Sequence, residues 1–301
     1  MKNPNRIKEG SFVADVVFYV LAGIFAFITL YPMWYVLILS LSTPQAAASL
    51  RVFWWPKGFF LTGYKNILKD TNLWRAYRNT IFYALTACVG TLLVSAMSAY
   101  PLTSRMLQGR KYLTMFILVT MYFSGGMIPG FLNIMQLKLY DTPWAVIIPP
   151  MCVVWYIILM RSYYRTISES LREAAMIDGA NHYQVLFRVF LPNCKAIIAV
   201  IALYAIIGRW NSWFDALIFL PSTKWQPLQL YLRRLLIQTN ATPESQMGLS
   251  PEALLEMQKT QLSNLQLKYT VIFVSTVPML LAYPFFQQYF VKGVMLGSLK
   301  E

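Results

Sequence analysis

The side chains able to do chemistry are few and far apart. One histidine, His182, and three cysteines without CxxC spacing, Cys88, Cys152 and Cys194, give neither a transition-metal cluster nor a disulfide framework. HExxH, GxSxG and paired aspartates within apolar stretches are all missing from the sequence, which removes the common hydrolase arrangements. None of the 14 glycines belongs to a GxxxxGK[ST] loop, so this chain carries no phosphate cradle for ATP. No catalytic residue and no metal ligand is expected. What remains is a polar and aromatic cluster, Arg209, Trp210, Asn211, Trp213 and Asp215, inside an otherwise apolar stretch. An arginine at membrane depth costs about 2.5 to 3.5 kcal/mol on insertion scales, so Arg209 is expected to face a partner helix or a wet cavity. On one continuous helix Arg209 and Asp215 stand about 240° apart, and each then needs a separate partner. Asn211 and Asp215 share one face of such a helix, Trp210 and Phe214 the adjoining one. Amide and carboxylate beside flat rings suit a polyhydroxylated ligand, whose hydroxyls meet the polar groups while its C–H faces rest on the aromatics. The competing use is structural, with Arg209 and Asp215 holding a neighbouring subunit and the tryptophans serving as interfacial anchors.

A second group stands out by smallness. Ser170-Leu171-Arg172-Glu173 has the form of a capping box and predicts a helix starting at Ser170. Gly179 supplies the left-handed residue that ends it after Asp178, and residues 181–184 read as a second cap. A second short helix is expected over 183–190, stopped near Leu191-Pro192. Around the corner Ala174, Ala175, Gly179 and Ala180 are expected to be exposed, small enough for another protein's backbone to approach closely.

The elements that position these groups follow from composition. The chain is 57% hydrophobic and 13% charged, against about 25% charged in soluble domains, and a soluble protein is excluded. Long neutral stretches predict an all-α, polytopic membrane protein with six transmembrane helices, near 14–40, 79–103, 112–130, 143–160, 196–221 and 269–291, within a single domain spanning 1–301. The net charge of +14 is spread over loops rather than gathered on one face, which argues for a membrane surface and against nucleic acid. Both termini and the loop around 105–111 are rich in Lys and Arg, whereas the short connection at Lys138 carries that charge alone, so both ends are expected in the cytoplasm. The loop 161–195 then lies inside, with Cys194 open to labelling from that side, and 222–268 outside. The apolar run after Lys2, Arg6 and Lys8 is longer than a signal core, so cleavage is not expected. Gly125-Gly126 with Pro129 should break the third span near its outer end, after which 131–139 is expected along the interface. Pro56-Lys57-Gly58 marks a turn, followed by a mildly amphipathic run over 64–68, and helical signals lie at 228–238 and from Ser250 through Pro251-Glu252.

The segment Glu173-Ala174-Ala175-Met176-Ile177-Asp178-Gly179-Ala180, followed by Phe187 and Leu191-Pro192, resembles the EAA loop of ABC-transporter permeases. The resemblance extends over nearly the whole chain to the carbohydrate-uptake branch: residues 53–64, Asn79-Thr80 with Ala99-Tyr100 and Arg105, Trp210-Asn211-Ser212-Trp213, and the tail Lys292-Gly293-Val294-Met295-Leu296-Gly297-Ser298-Leu299-Lys300. Within that branch it is similar to permeases for complex oligosaccharides of Gram-positive bacteria. The family implies a multi-pass subunit of the bacterial inner (plasma) membrane that moves a sugar or oligosaccharide and is not itself an enzyme. It implies a homologous second permease, an ATPase dimer that binds ATP and Mg, an extracytoplasmic sugar-binding protein, and lipid. ATPase coupling would then fall to Glu173, Ala174, Ala175, Asp178, Gly179, Ala180, Leu191 and Pro192, through the 171–192 helix pair, with a substrate path along Arg209, Trp210, Asn211, Trp213 and Asp215. The alternatives are a permease for amino acids or peptides and an ion-coupled secondary transporter; the latter leaves the helix-turn-helix unexplained.

Overall fold

The computed structural model describes residues 12–49, 51–104, 106–238 and 251–298. Arg105, Ser250 and the ends of the chain, with the last residues of the tail, lie outside the described residues. Among those described no strand occurs. In chain order the helices are α1 (Phe12–Ser40), α2 (Pro44–Ala48), α3 (Thr62–Lys69), α4 (Thr71–Thr103), α5 (Arg110–Tyr122), α6 (Met127–Gln136), α7 (Trp144–Ile147), α8 (Val154–Tyr164), α9 (Glu169–Ile177), α10 (His182–Gln184), α11 (Leu191–Asn193), α12 (Lys195–Trp210), α13 (Phe214–Phe219), α14 (Leu228–Gln238) and α15 (Pro251–Ser298). A π-helical stretch, Val185–Phe190, joins α10 to α11, and 3-10 turns occupy Pro149–Met151 and Thr223–Trp225.

Among the described residues three helical segments are long and apolar enough to cross a membrane: Val13–Ser40, Thr71–Thr103 and Gln261–Ala282. Three further candidates are bent pairs, α5 with α6 at 110°, α7 and its 3-10 turn with α8 at 40°, and residues 182–193 with α12 at 85°. The first of these bends is the one marked by Gly125-Gly126, where Gly126 takes φ 86° immediately before α6. Helix boundaries differ from the sequence reading in several places. Helix α4 starts at Thr71 rather than 79, because the Asp70 carboxylate caps it by accepting from the Asn72 amide at 2.8 Å. Helix α15 starts at Pro251, where the sequence predicts a helical run, and continues unbroken into the last apolar segment instead of ending before 269.

The described residues fall into two compact units, one made of residues up to Lys69 with Leu235–Val277, the other of Asp70–Arg234 with residues from Pro278. In the first, Ile38, Leu39, Ala47 and Val52 form a small core. Its polar anchor is Ser40, whose carbonyl accepts from Gln266 Nε2 at 2.7 Å and whose hydroxyl lies 2.6 Å from Tyr64 Oη.

In the second unit α4 is the spine. Ala84, Ala87, Cys88, Thr91, Ser95 and Ala99 recur at helical spacing and are buried, and their small side chains let α8 and α12 pack close. One core cluster gathers Ala99, Tyr100 and Leu102 of α4, Met160 and Tyr164 of α8, Val185, Leu186 and Phe190 of the π-helical stretch, and Cys194 and Ile201. A second joins Tyr83, Ala87, Val146, Ile147, Ala216, Leu220 and Leu230. Asn79 and Thr80 are buried and satisfied by the segment before α14: Asn79 Nδ2 donates to the carbonyls of Lys224 (2.9 Å) and Gln226 (3.1 Å), and the Leu228 amide donates to Thr80 Oγ1 at 2.8 Å. The Tyr231 hydroxyl donates to the Asp70 carboxylate, and burial, with that carboxylate beside it, holds the phenol above its ordinary pKa.

Candidate functional site

The corner between α9 and α10 is built by local rules. Its cap is Ser168, not Ser170: Ser168 Oγ accepts from the Ser170 amide at 3.3 Å, and α9 therefore begins at Glu169. Ser170 alone carries the S-x-x-E spacing, but the choice falls to the register that lets Glu169, in the first turn, pair with Arg172 one turn on. Arg172 is buried by this arrangement, while Glu173 is relieved of a capping task and stands exposed.

The far end of α9 is a Schellman turn. Gly179 takes φ 83°, its amide donates to the Met176 carbonyl at 3.1 Å, and the Ala180 amide reaches the Ala175 carbonyl at 2.9 Å. This motif brings together the residues at its two ends, which corrects one expectation. Ala175 and Ala180 are not the exposed face of the corner; both pack on the core cluster. Ala174, Asp178 and Gly179 are exposed, and they are flanked by larger apolar side chains than the sequence suggested, Ile177 at 86% and Tyr183 at 67% exposure.

Asn181 and Gln184 form the expected second cap, side chain to backbone in both directions at 2.9 and 2.8 Å. The helix beyond it differs. It widens to a π-helix over Val185–Phe190 and continues past Leu191-Pro192 to Asn193 instead of stopping. Pro192 lacks an amide and lies at the start of α11, where no donor is required of it, and the widened turn ahead relieves its ring of the usual clash. Leu191 packs on the core cluster and Pro192 is exposed. Cys194, expected to be open to labelling, has 0% exposure. A thiol reagent is accordingly expected to leave Cys194 unmodified in the folded protein and to reach it only after denaturation, which peptide mass spectrometry reads directly.

Sequence reading missed one feature of this corner. Tyr100, Met97, Arg172, Met176, His182 and Leu186 help to line a cavity of about 520 Å³, and among the described residues the buried Tyr100 hydroxyl has no hydrogen-bond partner. Contacts across four segments create it, and no local pattern announces it.

The second group lies where α12 ends. Trp210 is its last residue, residues 211–213 break the helix, and α13 starts at Phe214. The arithmetic of a continuous helix therefore lapses, and with it the expectation that Arg209 and Asp215 cannot meet. Arg209 Nη2 lies 3.2 Å from Asp215 Oδ2, and Arg209 Nη1 donates to the Val146 carbonyl at 3.0 Å. Ser212 Oγ donates to the same carboxylate oxygen at 3.3 Å. The shared faces expected for Asn211 with Asp215 and for Trp210 with Phe214 dissolve for the same reason. Trp210 is buried, its ring 6.3 Å from that of Tyr77. Trp213 is half-buried on the second core cluster, with the Phe214 ring edge-on at 5.4 Å, and Asn211 and Phe214 are exposed. Among the described residues no group of three or more His, Cys, Asp or Glu could hold a metal ion.

No family model matches the chain. The protein LplC of Bacillus subtilis is 34% identical over 293 residues, covering 96% of this chain and 94% of that protein. A polygalacturonan/rhamnogalacturonan transport system permease of Bacillus subtilis, YtcP, is 33% identical over 292 residues, 95% of this chain and 98% of the relative. A chain in the crystal structure of a bacterial ABC transporter involved in the import of the acidic polysaccharide alginate matches with a TM-score of 0.81 and 35% identity, over 92% of this chain and 96% of that one.

Proposed function

This chain belongs to the ABC-transporter permeases, and from that premise we propose that it is one of two homologous permeases of a bacterial importer for sugar oligomers, driven by a separate ATPase dimer. The observation that carries the reading is the α9–α10 corner. A Schellman turn fixes the angle of two short helices and leaves Glu173, Ala174, Asp178 and Gly179 facing outward. A protruding corner of this kind fits a groove in an ATPase subunit, and ATP and Mg bind there, since no phosphate loop occurs here. Behind the corner, Val185, Leu186 and Phe190 pack with α4 and α8 in one close-packed cluster. Packed cores move as bodies, so a displacement of the corner by ATPase closure passes to α4, α8 and α12 and alternates access.

The break after α12 is the part suited to a path for sugar, through Asn211, Trp213 and Phe214, with Arg209 and Asp215 holding its shape. A binding protein outside the cell supplies the sugar, both termini and the corner face the cytoplasm, and the chain resides in the cell membrane. Relatives in systems for polygalacturonan/rhamnogalacturonan and for alginate favour an oligosaccharide over an amino acid or peptide.

The test is purification of the complex from native membranes, followed by transport in vesicles with the binding protein. An ATPase is expected to co-purify, and uptake is expected to require ATP and sugar. Uptake that follows an ion gradient without ATP, or stimulation by peptides but by no sugar, overturns the assignment.

A further inference from the structure

Two exposed cations of the second unit lie on indole rings rather than on acids. The Arg233 guanidinium carbon sits 3.6 Å from the centroid of Trp213, and Lys224 Nζ sits 4.6 Å from that of Trp225. Among the described residues neither has a carboxylate within ion-pair distance. Both indoles pack on the same buried cluster, that of Tyr83, Val146, Ile147, Leu220 and Leu230. The acids on the surrounding elements are already engaged: Asp215 by Arg209 and Ser212, Asp70 by Tyr231, and Asp141 by the Ser222 amide at 3.2 Å. The result is a pair of cations held over rings, with Asn211 and Phe214 exposed at the helix break beside Trp213.

We infer that this surface receives an acidic sugar oligomer, with carboxylates bound by Arg233 and Lys224 and sugar faces resting on the neighbouring rings. The inference rests on the permease reading above and narrows its substrate class. A guanidinium lying on an indole keeps its N–H edge free, and that edge matches a carboxylate with two parallel hydrogen bonds. Sugar C–H faces suit the exposed Phe214 ring and the indoles, while the Asn211 amide offers both a donor and an acceptor to hydroxyls. A neutral sugar gives a cation only hydroxyl oxygens, which bind it more weakly than an anion does. Lipid phosphate is the other source of a fixed anion. The pairing of each cation with an aromatic ring, with the Asn211 amide two residues from Trp213, favours a sugar acid over a headgroup.

The experiment uses the whole importer, this chain with its partner permease, ATPase dimer and binding protein, in vesicles of phosphatidylcholine with or without phosphatidylglycerol. Uronate oligomers and neutral hexose oligomers of equal length are compared. The wild type is expected to import the uronate oligomer. Arg233→Gln should lower its kcat/KM about tenfold, the size of one charge-assisted hydrogen bond, and Lys224→Gln about threefold. Arg233→Lys, which keeps the charge and loses the fork, should fall between. Each variant should assemble normally, the effect should shrink as salt rises, and any neutral oligomer uptake should change less than twofold. A wild type that imports only neutral oligomers, or variants that slow both substrates alike, sinks the acidic substrate and leaves the sugar permease standing. A defect that appears only with phosphatidylglycerol assigns the cations to lipid and overturns the inference. Failure of every sugar to stimulate the ATPase overturns both readings.

Discussion

Gly179→Val is expected to stop transport while the protein remains in the membrane at normal abundance. Gly179 holds φ 83° and a β-carbon there would meet no heavy atom within 4 Å, so the substitution is not a clash with neighbours. The strain is confined to the backbone. A β-branched residue in the left-handed region costs about 1 to 3 kcal/mol, and it is relieved only by giving up the 3.1 and 2.9 Å hydrogen bonds that close the turn. Those bonds set the angle between α9 and α10, whereas the core cluster beneath includes neither Gly179 nor its amide. The fold should therefore persist with a misdirected corner. Gly179→Ala is expected to be intermediate, at about 1 kcal/mol, and Gly179→Asn nearly normal, because asparagine tolerates this conformation. Uptake, membrane abundance and ATPase co-purification are measured together on each variant. Near-normal transport by the valine variant with the ATPase bound would show that the corner does not carry the coupling.

What the sequence disclosed and what it concealed follow from the range of the forces involved. Gly179, Asn181 and Gln184 act within six residues of chain, and their turn and cap are readable as a string. The apolar segments were readable too, since a span depends on length and hydropathy alone. Ser170 has the capping-box spacing to Glu173 and Ser168 does not, so the local pattern points to Ser170, while the pairing of Glu169 with Arg172 sets the cap two residues earlier. Helix α12 was harder. Nothing between Arg209 and Asp215 is a strong helix breaker, and the chain bends there because Trp213 packs on a cluster built from α4, α7, α13 and α14. That contact also brings Arg233 onto Trp213 from a helix not adjacent in sequence, which is why Arg233 is not among the candidate residues. Ala175 and Ala180 were misplaced for a related reason: the motif was recognised, but the direction of the core it packs on is a tertiary fact.

Arg209→Ala is expected to destabilise the subunit by about 2 to 3 kcal/mol, more than any single change on the other side of its ion pair. The Arg209 side chain is 17% exposed and joins three elements, reaching the Val146 carbonyl in α7 and Asp215 in α13 from its own place near the end of α12. Removing it strands one buried carbonyl and one carboxylate together. The loss stays below the roughly 3 to 5 kcal/mol of a fully buried pair, because the Asp215 side chain is 41% exposed and water screens it. Asp215→Asn keeps an acceptor for Arg209 and for Ser212 and should cost about 1 kcal/mol. Arg209→Lys should lie between, since one ammonium cannot serve two acceptors in the positions the guanidinium fork reaches. Exchanging the two residues, Arg209→Asp with Asp215→Arg, should not restore stability, because a carboxylate would then face the Val146 carbonyl. Unfolding of the purified complex followed by heat or denaturant measures these differences, and sugar-stimulated ATPase on the same samples separates a loss of scaffold from a loss of path. If Arg209→Ala and Asp215→Ala each lie within 0.5 kcal/mol of wild type, the pair does not hold the helix break, and the shape of the proposed sugar path must be set by Trp213 packing alone.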